Sequence, residues 1–124
     1  MSSRLLRARR GAWVALAVAV MMGAGGCHSA YIETTVRNAS GGPISLLEVD
    51  YPSASFGKEA LAMGAEYHYR FKVLGNGPTK VLWTDAGQHE HSVPGPSLNE
   101  GDEGRLVVTI RPADADFNLD KGRQ

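Results

Sequence analysis

The amino-acid sequence predicts an all-β fold, a small antiparallel β-sandwich of about six or seven strands, and three observations carry that prediction. Short runs of alternating apolar and polar residues recur roughly every 10 to 15 positions, the period-2 signature of strands with one buried face. Clusters of Gly, Pro and Asn separate these runs, drawn from 15 Gly and 6 Pro in 124 residues, and they supply the turns. Beyond Cys27 no stretch carries a helical period, and no internal repeat is present.

The residues before that domain stand apart. Arg4, Arg7, Arg9 and Arg10 precede the apolar run Ala12 to Met22, and Gly23-Ala24-Gly25-Gly26 leads to Cys27. A positive start, an apolar run and a small-residue exit form the order of a cleaved secretory signal, here residues 1–26 and helical in its apolar part. At about 11 residues the run falls short of the roughly 20 that a membrane span needs. Cys27 is the chain's single cysteine, and an unpaired cysteine in an exported protein asks for a chemical reason.

Gly25-Gly26-Cys27 resembles the lipobox of a bacterial lipoprotein signal, with Ala24 standing where that motif usually has Leu. The resemblance implies cleavage before Cys27, a thioether lipid with palmitate among its chains, and a membrane anchor on the extracytoplasmic side of the cell envelope. His28 after the cysteine, rather than Asp, leans the resemblance towards the outer membrane. Ordinary signal cleavage near Gly25 or Gly26 is the alternative, and it gives a secreted or periplasmic soluble protein. Arg9-Arg10 lacks the polar and aromatic neighbours of a twin-arginine signal.

Removal of the signal changes the charge. Its charged residues are all Arg, so nine Lys and Arg remain against 13 Asp and Glu. A chain about four units negative without a basic cluster offers no surface to nucleic acid, whose binding rests on phosphate neutralisation. It is equally unsuited to anionic headgroups, so the acyl chains must do the anchoring. The 98 residues from Cys27 to Gln124 suffice for one domain and one core.

Cys27, His28, Ser29 and Ala30 form a short tether to the first strand. That strand starts at Tyr31 and turns Ile32, Thr34 and Val36 to one side. Asn38 to Pro43 reads as a turn. In the next strand Leu47, Val49 and Tyr51 share a face while Ile44 and Leu46 fall on the other parity, so the phase break near Leu46-Leu47 predicts a bulge or a start buried on both sides. Ser53 to Lys58 reads as a loop plugged by Phe56, and Glu59 to Met63 as an extended corner ending at Gly64. Tyr67, Tyr69, Phe71 and Val73 alternate with Glu66, His68, Arg70 and Lys72, which predicts a central strand with its aromatics in the core.

Gly75-Asn76-Gly77-Pro78 predicts a hairpin into Lys80 to Asp85, and Ala86-Gly87 a turn into Gln88 to Val93. Pro94 to Gly104 reads as the longest irregular connection. Arg105 to Arg111 closes the sandwich, residues 31–112, with Leu106, Val108 and Ile110 inward. Residues 113–124 read as a polar, disordered tail.

The Val36-Arg37-Asn38 strand end, the Leu61-Ala62-Met63-Gly64 corner and the alternating Tyr67 to Val73 strand together resemble small immunoglobulin-like or fibronectin type III-like domains of bacterial envelope proteins. A cysteine bridge between sheets is missing, which excludes a true immunoglobulin domain.

Candidate sites are few, and each competes with a plain structural role. His89 and His91 fall on one face of a strand, about 6.5 to 7 Å apart along it, and with His68 or Asp85 would make a zinc set. Two histidines alone do not make such a site, and an exposed strand face or hairpin edge that tolerates histidine is the preferred account. Asn99 to Glu103 offers carboxylates without calcium-loop spacing, so a solvated acidic turn is expected. Trp83 is a possible ligand contact, while Tyr67 and Tyr69 belong with the core by their alternation. No nucleophile elbow, activated serine or carboxylate pair nominates a catalytic residue, and no cofactor is implied.

The function expected is a membrane-anchored envelope lipoprotein acting as a non-catalytic structural or protein-interaction module. A carbohydrate-, peptide- or metal-binding sandwich is the alternative, and metal-dependent chemistry at His89 and His91 a distant one. His28 to Ala30 spans only about 10 Å at roughly 3.3 to 3.6 Å per residue, so the expected protein partner lies in or on the same membrane.

Overall fold

A computed structural model describes residues 29–122. The signal segment and Cys27 lie outside the described residues. Eight strands fill that range: β1 (Ile32–Asn38), β2 (Ile44–Tyr51), β3 (Ala54–Leu61), β4 (Glu66–Phe71), β5 (Gly77–Thr84), β6 (Glu90–Leu98), β7 (Gly104–Ile110) and β8 (Ala115–Lys121). They form two four-stranded sheets, ordered β4-β1-β7-β8 and β3-β2-β5-β6, packed face to face as the sandwich that the alternation predicts.

Burial follows the pattern strand by strand. Ile32, Thr34, Val36 and Asn38 of β1 are buried and their neighbours are not. Leu106, Val108 and Ile110 of β7 meet them in the register Thr34↔Leu106, Val36↔Val108. Across the sandwich, Val49, Val81 and Trp83 close the same core. Each large aliphatic side chain fully withdrawn from water contributes about 1.5–3 kcal/mol, so this single core is what holds a domain without disulfides.

Several expectations are corrected. The polar, disordered tail expected from residue 113 on is corrected over the described residues: Ala115–Lys121 is β8, paired antiparallel with β7. Ala115, Phe117 and Leu119 pack on the core while Asp116, Asn118 and Asp120 point out, so a polar strand is retained because only half of it needs to be apolar. β4 is an edge strand rather than a central one, bonded to β1 alone. Ser53 to Lys58 is not a loop, since β3 starts at Ala54 and Phe56 is buried within it. Finally, Gly75 to Pro78 does not close a hairpin: β4 and β5 belong to different sheets, and the glycines carry the chain over one end of the sandwich. The irregular stretch after Val93 is likewise shortened, because β6 runs on to Leu98.

The sandwich is also not wholly antiparallel, since β1 and β7 run parallel. That pairing is available because the intervening strands return the chain to the same end before β7 starts. The break foreseen at Leu46-Leu47 is present as a register shift of β2 against β5 between Ser45 and Glu48, with Leu46 at φ 52°. Opposite it, Gly57 of β3 makes room: a Cβ there would stand 2.1 Å from the Leu47 carbonyl oxygen.

Strand directions define two ends. The start of β1, the Pro52-Ser53 turn, the 72–76 and 99–103 connections and the end of β8 share one end. The 39–43, 62–65, 85–89 and 111–114 connections share the other.

Candidate functional site

Of the residues singled out from sequence, the structure gathers His89, His91, Asp85 and Trp83 at the far end of the β5–β6 hairpin. The turn is built around Asp85. Its amide donates to the His89 carbonyl at 2.9 Å and its carbonyl accepts from Gln88 N at 3.0 Å. Its Oδ1 accepts the amides of Gly87 at 2.9 Å and His89 at 3.0 Å, the side-chain-to-backbone pattern that makes Asp a turn residue. Gln88 takes the left-handed position, φ 66°.

The second carboxylate oxygen of Asp85 faces His91 Nε2 at 2.7 Å, and His89 Nδ1 lies 3.5 Å from the first. Both imidazoles therefore converge on one carboxylate, but not from a shared strand face as expected, since His89 lies in the turn before β6 and only His91 is on the strand. The His91 contact, followed by the His89 amide, holds the Asp85 carboxyl down at about 2. The His91 ring stacks on Trp83, its register partner, with centroids 4.8 Å apart and planes 15° from parallel.

Trp83 is 1% exposed, so it is a core residue and not an open ligand platform. Its Nε1 has no hydrogen-bond partner among the described residues. His68 lies in the other sheet, on β4, where Nδ1 is 3.0 Å from Thr35 Oγ1 and Nε2 is 3.6 Å from Glu66 Oε1. It therefore does not join His89 and His91. Among the described residues no group of three or more His, Cys, Asp and Glu is placed to hold a metal ion. Asp85, His89 and Ser40 line one shallow cleft, but the Ser40 hydroxyl is directed to Asn38 Oδ1 at 2.6 Å.

The acidic connection after β6 acts as a fastener. Glu100 Oε1 accepts Gly75 N at 2.9 Å, Glu100 N donates to Asn76 Oδ1 at 2.8 Å, and Asp102 Oδ2 accepts Asn99 N at 2.8 Å beside Lys121 Nζ at 3.1 Å. Burial opposes the Asp102 charge, yet the Asn99 amide and Lys121 ammonium hold its carboxyl below the usual value. The tyrosines also go to structure. Tyr51 of β2 stacks on Phe71 at 3.9 Å and Phe56 on Tyr69 at 4.4 Å, but the core placement expected of Tyr67 and Tyr69 is corrected: on edge strand β4, with no neighbour on one side, Tyr67 is half-buried and Tyr69 is 39% exposed.

Sequence reasoning missed Asn38 as more than a strand end. It is 1% exposed, and its Nδ2 donates to the carbonyls of Gly42, Leu61 and Ala62 at 2.9, 3.0 and 3.1 Å. Its Oδ1 accepts from the Ser40 amide at 3.1 Å. A polar residue at the fourth inward position of an alternating strand was the available signal.

The fold and these contacts define a small two-sheet β-sandwich whose polar clusters chiefly serve its turns. No protein-family model matches the chain, and no curated protein matches it. Among solved structures, an NMR structure of a protein from Eubacterium rectale is similar, with a TM-score of 0.53 at 10% identity over 75% of this chain and 91% of that one. At that identity the likeness concerns the fold alone.

Proposed function

We propose that the protein is an envelope lipoprotein, held by lipid on Cys27, whose sandwich acts as a non-catalytic protein-interaction module close to the membrane. The observation that carries this reading is the position of β1, which starts at Ile32 and enters the middle of a sheet. Only His28 to Tyr31 lies between Cys27 and that strand, so the end holding the 72–76 and 99–103 connections would face the bilayer.

The tether also restricts the partner. A reach of roughly 13 to 14 Å over those four residues keeps the domain beside its membrane, with His28 leaning the assignment towards the outer membrane, and a partner in or on that membrane is expected. Replacing Cys27 by Ser tests the anchor. The variant is expected to lose palmitate labelling and to leave the membrane fraction; retention of both contradicts the reading.

A further inference from the structure

The outer face of the β3-β2-β5-β6 sheet carries a residue that is unfavourable twice over. Leu46 sits at φ 52° in the bulge of β2, where a left-handed residue is usually glycine because a large side chain there is strained. That conformation also turns the leucine out, leaving it 65% exposed. A folding requirement would be met better by Gly, and the chain does place Gly57 across the same bulge where space demands it. An outlier of this kind points to a use outside the fold.

Its surroundings show what that use is. Leu46 borders an open groove of about 430 Å³ between β2, β5 and β6, shared with Leu82, Glu48, Glu90 and Ser92. Among the described residues neither Glu48 nor Glu90 has a Lys or Arg within ion-pair distance, while Lys80 stands 3.9 Å from Asp50. The hydrogen bond and repulsion from Asp50 push the Glu48 carboxyl up, and the Lys80 ammonium, seated at Asp50, offsets this only in part. The floor is apolar and the rim is acidic. A second copy of this chain would bring acid against acid, and an anionic lipid surface would meet the same repulsion.

We infer that this face is a docking surface for a basic polypeptide segment, which lays an apolar side chain beside Leu46 and Leu82 and sets Lys or Arg against Glu48 and Glu90. The inference rests on the reading of the domain as an interaction module, but not on its anchor. Neutralising these two exposed carboxylates gives orientation and specificity, and the leucines exclude water beside those contacts.

The test titrates the detergent-solubilised whole chain with an alternating Lys-Leu hexapeptide, followed by amide NMR shifts. A Glu-Leu hexapeptide and anionic vesicles serve as comparisons, and palmitate labelling of the same preparation reports the anchor separately. Saturable shifts are expected along Leu46 to Glu48, Leu82 and Glu90 to Ser92 with the Lys-Leu peptide alone. Leu46→Gly is expected to weaken binding at least tenfold while its unfolding midpoint stays or rises. Leu46→Asn, which also tolerates the left-handed position, should repeat the loss. Glu48→Gln with Glu90→Gln should weaken binding about tenfold and flatten its salt dependence. Equal binding of the Glu-Leu peptide, shifts confined to other faces, no saturable shift, a vesicle or self-association signal at this face, or wild-type affinity in both Leu46 variants overturns it.

Discussion

Asn38 and Asp85 show how single polar residues hold the ends of this sandwich. Asn38 spends its amide on three carbonyls from two separate turns, so one side chain joins the end of β1 to the start of β2 and the end of β3. Asn38→Ala leaves these buried carbonyls without their donor, and networks of this sort lose more than one bond's worth. Loss of about 2–4 kcal/mol in urea unfolding is expected, whereas a change below about 0.5 kcal/mol, the ordinary surface value, contradicts the role. Asp85 makes a prediction about pH. Its folded carboxyl titrates at about 2 against a usual 3.8, chiefly through His91, so the native state binds fewer protons than the unfolded chain in that interval. Its contribution is complete above the higher value and is lost as pH falls through the lower one. Asp85→Asn should therefore flatten the fall in stability between about pH 4 and pH 2; an unchanged acid limb sinks this.

Among the elements, β2 with its bulge and β8 matter most. Gly57→Ala would put a Cβ 2.1 Å from the Leu47 carbonyl oxygen, a clash with backbone that only a shift of β3 or of the bulge relieves. Destabilisation of about 1–3 kcal/mol or more is expected by urea titration, against about 1 kcal/mol for Gly41→Ala, where only the left-handed backbone at φ 87° resists and nothing lies within 4 Å. Equal costs at the two sites contradict this account of the bulge. The bulge itself was legible, because Ile44 and Leu46 break the parity of Leu47, Val49 and Tyr51. β8 was legible in principle: Ala115, Phe117 and Leu119 alternate with Asp116, Asn118 and Asp120. Its polar composition hid a pattern that needs only one apolar face. What periodicity does not encode is which sheet a strand joins, so the Gly75 to Pro78 turn looked like a hairpin and β4 looked central. The cluster of Asp85, His91 and Trp83 was only half visible, since spacing kept His89 and His91 together but put both on a strand face, while their convergence on Asp85 depends on the turn that holds His89 and on the β5–β6 register.

Taken as a whole molecule, the sandwich has one end set by the start of β1 and the other by the Asn38 and Asp85 turns, with the proposed docking face along the side. Lipidation at Cys27 would hold the first end against the bilayer and leave the far turns and the Leu46 face open to a membrane-bound partner. Such an arrangement needs no basic surface of its own, consistent with nine Lys and Arg against 13 Asp and Glu from residue 27 on. The most direct test is mass spectrometry of the N-terminal tryptic peptide of the protein isolated from its native envelope. The account predicts a peptide starting at Cys27 and ending at Arg37 that carries thioether-linked acyl chains. An N-terminus at another residue, or Cys27 with a free thiol, would contradict it.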